Sequence, residues 1–252
     1  IRSFPVGYQY MLWMNTRRGP LADPRVRRAI DLAIDRRELA AAVGAGIPAT
    51  GAFAATFSFA LAEPRPFDPA AAMALLEEAG WRPGRDGSRV KDGVPLRLVL
   101  TAYPQRPDLV TFQPVLRARL GQLGIGIETR LTEQATATAA SGDFDLLLWA
   151  QHTAPAGDPG FFLNAFLRSD GSNNYTGFGS PAVDALLARL AVIRDPAERA
   201  AIAAEVEAQV FAEAPVAFLL TPEWHVGLGP RLADYEPWGS DYYVIRADLR
   251  AR

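Results

Sequence analysis

The stretch from Asp143 to Ala185 constrains the fold more than any other part of the sequence. It begins with a short apolar strand pattern, Phe144 to Ala150, which gives way to polar residues and a Pro/Gly loop. A helix-like segment, a second polar loop and an amphipathic helix follow. Strands that open into long polar loops are where α/β proteins place their ligands. We therefore predict an α/β fold with a ligand-binding wall in this stretch.

The chain before this stretch, and after it as far as Leu220, alternates between strand and helix patterns. Helices are indicated by Asp-Pro pairs, because Asp accepts hydrogen bonds from free N–H groups and Pro at the first helical position loses none. Strands are predicted at Tyr8 to Asn15, Leu96 to Ala102, Ile125 to Leu131 and Val216 to Leu220. From Pro222 the chain is rich in aromatic residues, Pro and Gly, which predicts irregular structure and short strands. We divide the chain into a lobe, residues 1–220, and a terminal segment, residues 221–252.

Composition excludes several classes of function. The net charge is −2 and the 26 basic residues are scattered, so we expect no nucleic-acid partner. The sequence has no cysteine and only two histidines, His152 and His225, which argues against a zinc site, and we expect no cofactor. No apolar run approaches the roughly 18 to 20 residues of a membrane span.

Catalytic patterns are also weak. The G-F-G-S-P motif at Gly177 to Pro181 has Pro after the serine, where an oxyanion hole needs a backbone N–H. We therefore predict a protein that is not an enzyme. One alternative is an enzyme that uses Asp143, Asp145 and His152. Another is a stand-alone interaction domain with an exposed aromatic tail that includes Trp238, Tyr242 and Tyr243.

Six motifs in one order resemble a single family, and together they cover nearly the whole chain. The first, N-T-R-R-G-P-L-A-D-P-R-V-R-R-A-I-D-L-A-I-D-R-R-E-L, is similar to the signature of the extracellular solute-binding proteins of family 5. These proteins are the dipeptide, oligopeptide and nickel-chelate receptors of ABC importers. The motifs occupy Asn15 to Leu39, Phe67 to Trp81, Leu120 to Glu128, Gly142 to Trp149, Ser180 to Leu187 and Asp195 to Leu219.

The resemblance implies a periplasmic binding protein-like α/β fold (type II, cluster C). Such receptors are about twice this length, so we expect a fragment that starts at Ile1 and corresponds to their C-terminal half. Residues 1–220 would form the C-terminal lobe of a two-lobe receptor, and residues 221–252 would return to the N-terminal lobe. The implied hinge strands lie near Tyr10 to Asn15 and Phe218 to Leu220.

The implied function is that of a substrate-binding component of an ABC importer. It would capture a small peptide or peptide-like solute in an interlobe cleft and deliver it to the permease subunits. The alternative within the family is a receptor for nickel or another metal chelate. The resemblance further implies a periplasmic protein that is monomeric at full length, with a signal peptide in the part that precedes this sequence.

Two residues match ligand-binding positions of the family. Arg106, in the Y-P-Q-R-P loop that starts at Tyr103, matches an arginine that binds the C-terminal carboxylate of a dipeptide. A guanidinium suits that role because it can bind a carboxylate with two parallel hydrogen bonds. Trp149 matches a tryptophan that can pack against a ligand side chain. We predict that Arg106, Tyr103 and Trp149 contact the solute.

The residues that follow Trp149 depart from the peptide-receptor pattern. Peptide receptors have an Asp three residues after this Trp, where it pairs with the amino terminus of the peptide, and this chain has His152. A neutral imidazole cannot bind an ammonium as a carboxylate does. We still predict a direct solute contact by His152, which could bind the metal of a chelate. Asp158 could take over the anionic role, or it could cap the helix at Pro159. We also predict solute contacts from Asn174 and Tyr175 in the second loop, although turn chemistry accounts for the asparagine as well.

Overall fold

The elements of the chain alternate as the sequence predicts. The computed structural model describes residues 1–237, 245–247 and 249. In this part the strands are β1 (Arg2–Pro5), β2 (Tyr8–Met14), β3 (Ile47–Pro48), β4 (Arg82–Pro83), β5 (Arg89–Lys91), β6 (Val94–Pro95), β7 (Arg97–Ala102), β8 (Gly126–Leu131), β9 (Leu146–His152), β10 (Val216–Thr221) and β11 (Glu223–Val226). The helices are α1 (Pro24–Leu32), α2 (Arg36–Val43), α3 (Pro69–Glu78), α4 (Pro107–Gln122), α5 (Ala135–Ser141), α6 (Gly160–Phe162), α7 (Pro181–Val192) and α8 (Pro196–Glu213). A π-helical turn, Leu163–Leu167, directly follows α6.

The predicted helix starts are confirmed. The side chains of Asp23, Asp68 and Asp195 accept backbone N–H groups in the first turns of α1, α3 and α8, and Pro occupies the first position of each helix. The end of α3 is also explained by a local residue preference. Gly80, just after α3, has a φ of 89°, a left-handed conformation that costs glycine little.

Six of the described strands form the central sheet, in the order β3-β10-β2-β9-β7-β8. Strand β2 is antiparallel to both β9 and β10, whereas β7 is parallel to β8 and β9. One edge of the sheet therefore collects the C-terminal ends of β7, β9 and β10 together with the N-terminal end of β2. This edge carries the predicted ligand-binding loops.

The sheet is covered on both faces, so it separates two apolar cores. Leu12 and Met14 of β2 face the core beneath α1, α3 and α4, whereas Met11 and Trp13 face the core beneath α7 and α8. All four side chains are buried. This confirms that β2 is buried on both faces, as its largely apolar sequence predicts.

The predicted boundaries of β9 are wrong by two residues. The sequence indicates a strand from Phe144 to Ala150 that ends at polar residues, but the strand continues through Gln151 and His152. The cause is pairing with β2, because Gln151 lies opposite Gln9 and His152 opposite Tyr8. Backbone hydrogen bonds to a neighbouring strand thus override the polar character of these side chains.

Two small sheets lie outside the central one. Strands β4, β5 and β6 form a three-stranded sheet that the sequence analysis missed, and β1 pairs with β11 in an antiparallel ribbon. The ribbon agrees with the short strands predicted after Pro222. The proposed division at residue 220, and the packing of residues 221–252 on another lobe, stay predictions. Trp238, Tyr242 and Tyr243 of the predicted aromatic tail lie outside the described residues.

Candidate functional site

The candidate site lies where β7 and β9 end. Their paired register extends over Leu100 opposite Leu146 and Thr101 opposite Leu147, and then the two strands separate. The hydroxyl of Tyr103 bridges the gap, accepting a hydrogen bond from the backbone N–H of Ala150 at 3.1 Å. The strand-end site, as we call it, consists of Tyr8, Tyr103, Arg106, Trp149 and Tyr175.

Trp149 is the centre of an aromatic cluster. Its ring stacks on Trp13 with 4.6 Å between centroids and an interplanar angle of 21°. Tyr103 meets it edge-on at 5.6 Å, and Tyr175 is tilted against it at 6.4 Å. Its Nε1 donates a hydrogen bond to the side chain of Gln151 at 3.2 Å. Residues from both predicted loops therefore converge on a half-buried tryptophan, which offers a flat apolar surface to a ligand.

Arg106 supplies the positive charge of the site. It immediately precedes α4, and its guanidinium lies over the ring of Tyr8, 5.3 Å from the centroid. None of the carboxylates in the described residues forms an ion pair with Arg106. Asp108, two residues further on, accepts a hydrogen bond from the hydroxyl of Tyr10 at 3.0 Å. Within the part of the chain that the structure describes, the charge of Arg106 therefore has no competing carboxylate.

Burial sets the pKa values of the neighbouring tyrosines. Desolvation raises the pKa of Tyr10, and the Asp108 carboxylate raises it further, while the positive charge of Arg106 acts against both. Desolvation likewise raises the pKa of Tyr103, and Arg106 again opposes this. Both phenols are therefore neutral at physiological pH and can act as hydrogen-bond donors or acceptors.

Asp158 forms an ion pair with Arg199 in this structure. Both of its carboxylate oxygens accept hydrogen bonds from Arg199 of α8, at 2.7 to 3.0 Å, and one also accepts the backbone N–H of Gly160 at 2.8 Å. Asp158 thus contacts the first residue of α6 and forms an ion pair with Arg199, but Pro159, and not Asp158, is the N-cap residue of that helix. A solute contact by Asp158 would have to compete with Arg199.

Asn174 likewise has local partners. Its amide nitrogen donates to the backbone carbonyls of Phe178 at 2.6 Å and Arg168 at 2.9 Å, and its side-chain oxygen accepts from the hydroxyl of Thr176 at 3.1 Å. These bonds close the second loop. Asn174 therefore holds the loop that carries Tyr175, whose ring reaches the strand-end site.

His152 lies inside the protein, not on the open surface of the site. It is only 5% exposed, and its ring packs edge-on against Tyr8 with 5.2 Å between centroids. Gly7 comes so close that a Cβ there would lie 2.8 Å from Cε1 of His152. The hypothetical enzyme centre of Asp143, Asp145 and His152 is not assembled, because the aspartates precede β9 and His152 ends it. A strand of that length separates them by about 20 Å.

Sequence reasoning missed three residues that shape the site and its surroundings. Trp13 and Tyr8 belong to β2, and their sequence pattern shows only a buried strand. Arg199 looks like an ordinary surface residue of an amphipathic helix. Their roles depend on contacts between distant segments, which no local pattern reveals. Among the described residues we find no group of three or more His, Asp or Glu side chains arranged to hold a metal ion. The described helices are also too short or too polar to cross a membrane.

An arginine and an aromatic cluster at the strand ends of an α/β fold are typical of a ligand-binding site. Comparison with known protein families identifies the family of this chain. The chain belongs to the bacterial extracellular solute-binding proteins, family 5, whose middle-region sequence model matches residues 1–174. This confirms the predicted family.

Individual relatives agree with this assignment. Protein XP55 of Streptomyces lividans is 33% identical over 204 residues, which cover 78% of this chain and 37% of that protein. The nickel-binding periplasmic protein of Escherichia coli K12 is 26% identical over 222 residues, which cover 83% of this chain and 42% of that protein. The chain therefore spans about two fifths of the length of these curated relatives.

Solved structures confirm the predicted fold class. The nickel ABC transporter structure from Bacillus halodurans superposes with a TM-score of 0.79 at 29% identity, covering 88% of this chain and 47% of that one. The oligopeptide-binding protein AppA from Bacillus subtilis, in complex with a nonapeptide, superposes with a TM-score of 0.77 at 20% identity and shows the same fold. The chain thus has part of the periplasmic binding protein-like fold.

Proposed function

We propose that this chain is part of the substrate-binding component of an ABC importer that captures a small peptide or peptide-like solute. Family membership supports this, as do relatives named as glutathione-binding and murein peptide-binding proteins. The protein binds its solute without converting it and delivers it to permease subunits in the membrane. A periplasmic location fits the names of the relatives.

The proposal depends on the positive charge of Arg106, which has no ion-pair partner among the described residues and lies beside an aromatic surface. A solute with a carboxylate and a flat or apolar group fits this pair of features. Each hydrogen bond between a guanidinium and a carboxylate contributes roughly 1.5–3 kcal/mol. Asp108, two residues after Arg106, accepts a hydrogen bond from Tyr10, and Asp158, in the loop after β9, forms an ion pair with Arg199. The strand-end site therefore favours a carboxylate over a free ammonium as the group that anchors the solute.

A second candidate is a metal chelate, and the same charge pattern supports it. Relatives and similar structures include nickel-binding proteins. The described residues offer no metal-ligand cluster, so a metal would enter together with a chelator that supplies its ligands. Carboxylates of that chelator would then contact Arg106.

The test starts from the intact protein, purified without denaturation. Native mass spectrometry identifies the bound small molecule, and elemental analysis of the same sample detects any stoichiometric metal. Calorimetry with the identified molecule then compares wild type, Arg106→Gln and the matched control Arg85→Gln, an exposed arginine between β4 and β5.

We expect a molecule with a carboxylate. Arg106→Gln should weaken its binding at least tenfold, because one or more charged hydrogen bonds are lost, and Arg85→Gln should leave it unchanged. Equal affinities for Arg106→Gln and wild type would contradict the proposal. So would chemical conversion of the bound molecule by the protein.

A further inference from the structure

The side chain of Arg106 has few contacts that could hold it in one orientation. Arg106 is the N-cap residue of α4, but a guanidinium has no acceptor for the free N–H groups of the first turn, so the helix start does not hold its side chain. Since the described carboxylates leave it unpaired, no ion pair in this part of the chain fixes the guanidinium. Among the described residues, the contact that remains is the ring of Tyr8, whose centroid lies 5.3 Å from the guanidinium carbon. Aromatic faces attract guanidinium groups at this range.

Tyr8 is suited to act as a fixed platform. Its backbone belongs to β2 and is held opposite His152 of β9 in the central sheet. Its ring meets the ring of His152 edge-on, at an interplanar angle of 61°. His152 is itself buried and lies against the backbone of Gly7, where a larger residue would overlap it. A flexible arginine thus rests on an aromatic ring that two strands keep in place.

We propose that Tyr8 is a positioning residue, whose ring holds the guanidinium of Arg106 at the strand-end site and thereby strengthens carboxylate binding there. The claim about carboxylate binding rests on the proposed function, whereas the contact between Tyr8 and Arg106 does not. The proposal also gives His152 an indirect role. It supports Tyr8 from the protein interior, in place of the direct solute contact that the sequence predicts.

The test uses the intact protein with ¹⁵N-labelled arginine, in which NMR resolves side-chain Nε–Hε signals. Arg106→Lys assigns the signal of Arg106. Tyr8→Phe keeps the aromatic face, and Tyr8→Leu removes it. Arg119, whose guanidinium lies over Phe67 at 5.6 Å, provides an internal reference that neither variant should move.

We expect Tyr8→Leu to shift the Arg106 signal, because it loses the ring current of the tyrosine, and Tyr8→Phe to leave it close to the wild-type position. Acetate serves as the carboxylate probe. It should shift the Arg106 signal in wild type and Tyr8→Phe, and its affinity should be about two- to fivefold weaker in Tyr8→Leu. Circular dichroism checks that each variant is folded.

An Arg106 signal that does not move in Tyr8→Leu would overturn the proposal, as would equal acetate affinities in Tyr8→Leu and wild type. A third outcome separates the contact between Tyr8 and Arg106 from carboxylate binding at the site. If Tyr8→Leu shifts the Arg106 signal but acetate leaves it unchanged in every protein, the contact is supported and carboxylate binding by Arg106 is refuted.

Discussion

We predict that Glu207 makes the stability of this protein depend on pH. This residue of α8 is fully buried, and its Oε1 accepts the backbone N–H of Ala52 at 2.5 Å. Its Oε2 is also buried and has no hydrogen-bond partner among the described residues. Burial raises the pKa of Glu207 from 4.5 to about 7, although the Ala52 N–H and the charge of Arg65 both act to lower it. The ionised carboxylate is thus disfavoured in the folded protein.

The contribution of Glu207 to the free energy of unfolding follows from the linkage between proton binding and folding. The folded protein binds the proton more tightly than the unfolded chain, so this group contributes most stability below pH 4.5. That contribution is lost as the pH rises from 4.5 to about 7, and it stays lost above that. At 1.36 kcal/mol per pH unit, the full loss is about 3 kcal/mol.

Replacement of Glu207 by Gln removes this pH dependence. Glutamine stays neutral and its side-chain oxygen can still accept the Ala52 N–H, although its NH₂ group needs partners of its own. We therefore expect the free energy of unfolding of Glu207→Gln, relative to wild type, to rise by about 2 to 3 kcal/mol between pH 5 and pH 8.

Urea denaturation at the two pH values measures the difference. Glu205→Gln is the matched control, because Glu205 lies on the same helix but is exposed and forms only a surface ion pair with Arg189. It should show no such change, since surface pairs contribute little. If the stability of Glu207→Gln relative to wild type is the same at pH 5 and pH 8, the reasoning about this buried carboxyl is refuted.

Two further predictions concern the site and its surroundings, and a third concerns the backbone between α4 and β8. Asp158→Ala should lower the free energy of unfolding by about 1–2 kcal/mol in urea denaturation, because the hydrogen bond to the Gly160 N–H and a partly exposed ion pair are lost, while calorimetry shows unchanged solute affinity. Trp149→Ala should weaken binding of the co-purified solute about tenfold in calorimetry, with Trp149→Phe in between. Gly124→Ala should lower the melting temperature more than Gly142→Ala. Both have a positive φ, but only at Gly124 would a Cβ meet a backbone oxygen, at 2.6 Å.

The sequence determined the local structure and the family of this protein. Asp-Pro pairs specify the starts of α1, α3 and α8, because a side chain and its own first turn make the cap. The apolar run of β2 predicts burial on both faces. Six ordered motifs indicate the family. These features depend on residues that are close in sequence, so their patterns can be recognised without a structure.

The tertiary structure decided which candidate residues meet. Strand β9 extends to His152 only because β2 pairs with it, and this pairing buries the histidine against Gly7. Asp158 finds Arg199, which lies 41 residues further along the chain. Tyr8 comes under Arg106 because an antiparallel strand brings its N-terminal end to the edge where β7 ends. The physical reason is the same in each case. Hydrogen bonds and packing between distant segments fix these side chains, and such contacts leave no periodic pattern in the sequence.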